Sequence, residues 1–301
     1  MKKFKIALDW TANTNHTGFY VAKAKGFYAE MGLEVLIETP DMDNYSITPA
    51  KKVELKQADM ALCPFESVVS YRTKTNVFDA VAIATIFQED VSAIATLASG
   101  EIKRPAELYG HVYASYKARY EDEIIRQMIK NDGGTGDFKI SYPEKLGIWE
   151  TILTGAADAT WIFRNWEGTQ AAEEGIALNL FKMADYGIPY GYSPVILASE
   201  NCVMESEGDY ARFLEATKKG YLFAQENPSE AVACIAPFVA KQDKNIDLIK
   251  SQKFTSGFYG TMDTWGVLDK NKVLEYLKWL SVNKLEEKLL GFEDLVFSGL
   301  V

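Results

Sequence analysis

Residues 5–22 read Lys5-Ile6-Ala7-Leu8-Asp9-Trp10-Thr11-Ala12-Asn13-Thr14-Asn15-His16-Thr17-Gly18-Phe19-Tyr20-Val21-Ala22. Ile6 and Leu8 alternate as the interior of a short strand. Asn13 or Thr14 can cap a helix whose apolar face is set by Phe19, Val21 and Ala22 and whose end is marked by Gly26. A strand running straight into a polar connection and then a helix is the unit of α/β folds, and in open α/β sheets small ligands bind at such carboxyl ends of strands. Asp9, Trp10, Asn13, Asn15 and His16 are left on that connection. Asn, Thr and Asp are ordinary turn and cap residues, and a single His is commonly structural. Density argues the other way, because an indole, a carboxylate, two amides and an imidazole fall within the eight positions from Asp9 to His16. Asp9, Trp10, Asn13 and His16 are therefore candidate ligand contacts on a loop held by a rigid scaffold.

The longer run LDWTANTNHTGFYVAKAKGFYAEMGLEV, which begins at Leu8, resembles the opening of the thiamine-pyrimidine-precursor binding family. That family comprises substrate-binding proteins of ABC importers and the fungal enzymes that build the thiamine pyrimidine. The resemblance implies an α/β, two-lobed periplasmic-binding-protein-like fold of type II, with an aromatic heterocycle gripped in a cleft between the lobes. It also implies an ABC-transporter permease as a partner.

A chain of 301 residues with 48% hydrophobic content can bury a sizeable core and lies where single cores give way to two domains. Its net charge of −10, from 42 acidic and 32 basic residues spread through the chain, argues against nucleic acid or an anionic membrane as partner. Cys63, Cys202 and Cys234 have neither CxxC nor Cys/His spacing, so neither a disulfide framework nor a zinc site is suggested. Met1-Lys2-Lys3 has the charge of a secretion signal's start, but Phe4 to Leu8 is a strand without an apolar h-region, and no lipobox follows. No window approaches the ~18 apolar residues of a membrane span. As written, the sequence is expected to be a cytoplasmic monomer with no membrane insertion; with an export signal removed, it belongs in the periplasm or at the cell surface.

Further along, Leu33 to Glu38 alternates as a strand, Pro40 to Asn44 is a loop of the kind that closes over a site, and Pro49 to Leu55 is a short helix. Ala58 to Leu62 is the next strand, leading through Cys63-Pro64-Phe65-Glu66-Ser67 into another helix. Glu66 and Ser67 sit at its N-terminus, where capping accounts for them as well as ligand binding does. Val81 to Ile86 and Ala93 to Leu97 are apolar strands. A second lobe then opens with the strand His111 to Ser115, and Ser115, Lys117 and Arg119 follow at a helix start. Free N–H groups there can receive an anion, although basic residues paired with Glu121 to Glu123 explain the pattern equally.

Ala157 to Phe163 is a strand containing Trp161 and ending in Arg164-Asn165-Trp166-Glu167, the second lobe's counterpart of the Trp10 loop. Arg164, Trp166 and Glu167 join Trp161 as candidates. Tyr190 and Tyr192 follow in the aromatic, glycine-rich crossing before the strand Val195 to Ala198, and offer planar faces with hydroxyl tips. From Asp209 onward the pattern is helical. The expected division is residues 1–98 for the first lobe, 99–192 for the second, and 193–301 for the return to the first. Glycines near both crossings supply the backbone freedom of a hinge that closes on ligand.

No GxSxG, HExxH, Walker loop or GxGxxG follows a strand, and neither a metal nor a cofactor is expected. The enzyme alternative comes from the resemblance. In the fungal pyrimidine-forming branch, the segment matching Ala61 to Ser67 carries a lysine that holds pyridoxal phosphate and, four residues later, a histidine consumed as substrate. Here those positions are Cys63 and Ser67. A Schiff base needs an amine, so the residues favour a binding protein for a small heterocycle, with a thiamine-pyrimidine biosynthesis enzyme as the alternative.

Overall fold

β1 (Lys2–Ala7) buries Phe4, Ile6 and Ala7. It pairs in parallel with β2 (Leu33–Glu38) on one side and β3 (Met60–Cys63) on the other. Parallel neighbours need crossover connections, and here the first is the helix Thr17–Ala24 and the second the helix Pro49–Glu54. β4 (Ala80–Thr85) is buried at every position, as expected of a strand covered on both faces. In the computed structural model, which describes residues 1–144, 147–243 and 245–301, these strands form one of two five-stranded sheets. β5 (Ser92–Leu97), β6 (Val112–Ala114), β7 (Lys139–Ser141), β8 (Ala159–Phe163) and β9 (Leu178–Phe181) form the other, and β10 (Val195–Ser199) returns to the first.

The first sheet has the order β2-β1-β3-β10-β4, with β10 antiparallel to both neighbours. The outer edge of β4 is covered by late segments of the chain: Ala82 N–H donates to Leu295 O at 2.8 Å, Phe297 N–H to Ala82 O at 3.0 Å, and Thr85 N–H to Gly266 O at 3.0 Å. Such cover removes an edge that would otherwise pair with another chain. The helix Thr17–Ala24 lies against the long helix Glu207–Glu226, and two glycines, Gly18 and Gly220, let them approach closely. A Cβ on Gly220 would stand 2.0 Å from Gly18 O.

The second sheet has the order β7-β6-β8-β5-β9; β6 runs parallel to β7 and β8, while β5 is antiparallel to β8 and β9. Ile148, Trp149 and Ile152 pack with Ala95, Ala114 and Ile162 beneath it. The chain divides into two compact units, Met1–Asp90 with Gly191–Leu274 and Lys288–Val301, and Val91–Tyr190 with Glu275–Glu287.

The strand at 93–97, placed in the first lobe by sequence, belongs to the second sheet, because Ala93 pairs with Ile162 and Ala95 with Leu180. An apolar run does not show which sheet it will join. The segment 275–287, expected in the first lobe, falls in the second unit. Tyr192, expected in the second lobe, lies in the first unit. β7 was not anticipated, since three residues are too few to show alternation. Among the described residues no helix is long and apolar enough to cross a membrane.

Candidate functional site

In the first unit the chain leaves β1 at Leu8, whose N–H still bonds Glu38 O at 2.8 Å. Asn13 then caps the short 3-10 turn Thr14–His16. Its Oδ1 accepts from Asn15 N–H at 2.9 Å and its Nδ2 donates to Thr11 O at 3.1 Å. The N–H of Asn13 donates to Nδ1 of His16 at 3.2 Å. A backbone N–H can only donate, so Nδ1 is the acceptor and the ring proton sits on Nε2. Nε2 lies 2.8 Å from Oδ1 of Asp9, and this N–H···O bond orients the carboxylate. The His16 side chain is 0% exposed, whereas that of Asp9 is 19% exposed.

Asn13 and His16, expected from sequence to touch ligand, are placed as follows. Both are buried and committed to the turn, and they act by holding Asp9. The turn is tied down from behind as well. Thr14 Oγ1 is hydrogen-bonded to Ser251 Oγ at 2.7 Å and Thr255 Oγ1 at 3.0 Å, while Tyr259 and Tyr221 donate their hydroxyls to Thr14 O at 3.1 Å and Asn15 O at 2.7 Å. These supports were missed from sequence. Their one signal was Ser251 and Thr255, polar residues four apart on the buried side of the helix Leu248–Ser256.

Trp10 is half-buried, with its indole edge-on to Tyr45 at 5.7 Å between ring centroids. Tyr45 and its neighbour Asn44 have φ of +59° and +55°. Asn tolerates that region, whereas a bulky residue there is costly and is held by its surroundings. Asp43, just before them, is anchored by Lys52 at 2.8 Å.

At the end of β3, Cys63 feels Asp9, Ser67 and Glu66. Burial pushes the Cys63 thiol up, the Asp9 charge adds to this, a hydrogen bond from Ser67 opposes it, and the Glu66 charge contributes in the upward direction. The helix Phe65–Thr73 has Pro64 at its N-cap and Glu66 in its first turn. Tyr192 is buried; its hydroxyl accepts from Asp269 N–H at 2.8 Å, and its carbonyl accepts from Phe65 N–H at 2.9 Å. It anchors two helix starts.

In the second unit, Ser115 donates its hydroxyl to Asp122 Oδ1 at 2.7 Å and accepts from Lys117 N–H at 3.0 Å. Arg119 pairs with Glu286 at 2.8 Å, and Lys117 Nζ lies 5.4 Å from the centroid of the Tyr142 ring. An anion at this helix start is not supported, because the N–H groups of Tyr116 and Ala118 bond Glu121 instead.

At the end of β8, Arg164 donates through its backbone N–H and Nε to Val91 O, each at 3.1 Å, and Glu167 Oε2 accepts from Phe163 N–H at 2.9 Å. Trp166, expected to cover a ligand, is buried. Trp161 remains half-buried, edge-on to Tyr190 at 5.0 Å. Tyr190 meets Tyr276 at 6.0 Å, and Tyr276 stacks on Trp279 at 6.2 Å. Tyr276 and Trp279 arrive from far along the chain, where the sequence shows only a helical pattern.

The model of the family described as NMT1/THI5 like matches residues 13–231. The formylaminopyrimidine-binding protein of Halalkalibacterium halodurans is 27% identical over 307 residues, covering 98% of this chain and 89% of the relative. The 4-amino-5-hydroxymethyl-2-methylpyrimidine phosphate synthase of Uromyces fabae is 23% identical over 294 residues, covering 93% of this chain and 83% of the relative. Among solved structures, the alkanesulfonate-binding protein from Xanthomonas axonopodis pv. citri bound to MOPS superposes with a TM-score of 0.74 at 10% identity, over 99% of this chain and 98% of that one. This last likeness is one of fold, and the fold is that of periplasmic binding proteins.

Proposed function

This chain belongs to the NMT1/THI5-like family, and from that premise we propose that it is a binding protein for a small aminopyrimidine of the kind that precedes the thiamine pyrimidine, delivering it to an ABC-transporter permease. The observation that carries the reading is the Asp9 carboxylate, fixed by the Nε2–H of a buried His16 and followed directly by the half-buried Trp10 indole. An aminopyrimidine presents N–H donors along one edge and a flat face. A carboxylate of fixed orientation receives the donors, and an indole covers the face. The likeness to the formylaminopyrimidine-binding protein of Halalkalibacterium halodurans supports the same ligand class. Delivery to a permease means working as a monomer on the outer side of the membrane, after export.

Tryptophan fluorescence titrated with 4-amino-5-hydroxymethyl-2-methylpyrimidine and its formylamino counterpart tests this. A quench or shift is expected with at least one of them, and Trp10→Ala is expected to weaken binding by about 1 kcal/mol or more. No change with either compound, in spectra or by calorimetry, would count decisively against the reading.

The enzyme alternative depends on an amine where this chain has a thiol. Cys63 is buried and its pKa is pushed up, so it is neither an imine former nor an exposed nucleophile. Incubation with pyridoxal phosphate followed by borohydride is expected to leave the intact mass unchanged. A stoichiometric reduced adduct at one lysine would restore the enzyme reading.

A further inference from the structure

After β2 the chain turns back through the 3-10 turn Pro40–Asp43 into Asn44 and Tyr45. These two stand consecutively in the left-handed region, with φ of +55° and +59°. Asn44 is at ease there but a tyrosine is not, and a strained bulky residue persists only where its surroundings over-determine it. Here they do. Tyr45 N–H donates to Pro40 O at 2.8 Å, and Ser46 N–H to Asp43 O at 3.2 Å. Asp43 is held through Oδ2 by Lys52 at 2.8 Å, and that buried lysine also lies 3.9 Å from Glu38 at the end of β2.

Backbone strain is not the only cost at this turn. The Tyr45 hydroxyl oxygen is buried and, among the described residues, has no hydrogen-bond partner; the same holds for Asp43 Oδ1. Burial pushes the Tyr45 hydroxyl up and the charges of Asp41 and Asp243 add to this, so it stays protonated, a donor without an acceptor. Buried polar atoms left this way lower stability and call for an explanation. A glycine or an asparagine would suit the backbone better. What neither can do is meet the Trp10 indole, which the Tyr45 ring reaches edge-on at 5.7 Å between centroids and 65° between planes. All these residues lie in the first compact unit.

We propose that Tyr45 is a positioning residue of the binding site: the turn 40–46 gives up stability to hold its ring against Trp10, so that the indole is set before a flat ligand arrives. The inference deepens the proposed role of Trp10 and rests on it. An indole ordered in advance does not have to be ordered by the ligand, and affinity rises accordingly. Strain that serves a site in this way is lost from stability and recovered in binding.

Calorimetry on the full chain with 4-amino-5-hydroxymethyl-2-methylpyrimidine and its formylamino counterpart, paired with thermal melts, tests this in a cycle of Tyr45→Gly and Trp10→Ala. Tyr45→Gly relieves the left-handed strain and removes the unpartnered hydroxyl, which offsets the packing lost with the ring. Its melting temperature is therefore expected to stay close to that of the wild type. Its affinity is expected to fall about 10-fold, the size of an aromatic pair. In the Trp10→Ala background the same change is expected to alter affinity by less than about 2-fold, because a residue acting through the indole has nothing left to act on. Near-ultraviolet circular dichroism of the ligand-free protein is expected to lose the same tryptophan signal in both single variants. Tyr45→Phe restores the ring and is expected to recover signal and affinity together. Full affinity in Tyr45→Gly, or an equal loss in both backgrounds, overturns the inference and leaves the binding-protein reading intact. So does a Tyr45→Gly chain that unfolds or melts far below the wild type, since the ring is then a packing residue. Refusal of both pyrimidines by the wild type would overturn the binding-protein reading instead.

Discussion

Gly220→Ala is expected to lower the unfolding free energy by about 2 kcal/mol or more, although alanine is the better helix former. The new Cβ would stand 2.0 Å from Gly18 O and 3.0 Å from both the N and Cβ of Ala22. A flexible side chain could move aside, but the first obstruction is a backbone oxygen fixed in the facing helix. The pair of helices must therefore separate. Propensity returns about 1 kcal/mol to the variant, while overpacking a tight contact costs ~1–3 kcal/mol and sometimes more. The damage also reaches the site. The neighbouring Tyr221 donates to Asn15 O at 2.7 Å, and an added Cβ on Gly18 would lie 2.1 Å from the Tyr221 ring. Any separation pulls on the turn that carries Asn13 and His16. Chemical denaturation and aminopyrimidine calorimetry on one preparation are the measurements. A variant that melts with the wild type would mean the two helices can part without cost.

Asp9→Asn is expected to weaken aminopyrimidine binding about 10- to 100-fold while the melting temperature stays close to that of the wild type. The amide keeps an oxygen for the Nε2–H of His16, so the buried ring retains the partner it has at 2.8 Å. What disappears is the charge presented to the ligand's donors, and hydrogen bonds to charged groups are worth ~1.5–3 kcal/mol. Asp9→Ala separates the two roles. It leaves an N–H of a ring that is 0% exposed without an acceptor, which costs ~1–3 kcal/mol of stability besides the affinity. Paired thermal melts and calorimetry on both variants check this. If Asp9→Asn binds as well as the wild type, Asp9 is a structural partner of His16 and the ligand contact lies elsewhere.

Why the expectation mixed these roles is visible in the residues. Spacing identified Asp9 to His16 as a connection between a strand and a helix, and Asn13 as a cap, because those are local properties. It did not show which way each side chain turns. That is decided by partners more than two hundred positions away, such as Tyr221 and Thr255. The α/β class was legible from repeated strand-turn-helix units, and the strand at 159–163 from its apolar run. The sheet to which 92–97 belongs was not, since Ser92 to Leu97 would suit either one. Glu121 shows the same limit most clearly. In sequence it is one of three acidic residues opening a helix and reads as a partner for the basic residues Lys117 and Arg119 before it. In the fold it turns back to occupy the loop preceding it.

The place of β10 between β3 and β4 also sets the order in which the protein can be assembled as it is made. The first ninety residues leave the ribosome with β3 and β4 unable to pair, because the strand that joins them is Val195–Ser199. All five strands of the second sheet lie between Ser92 and Phe181. The nascent chain therefore holds every strand of its second sheet before it holds the strand that joins β3 to β4 in its first. Since domains generally fold as units during synthesis, the later sheet is completed earlier, and the N-terminal segment must wait with apolar strand edges exposed to whatever chaperones attend it.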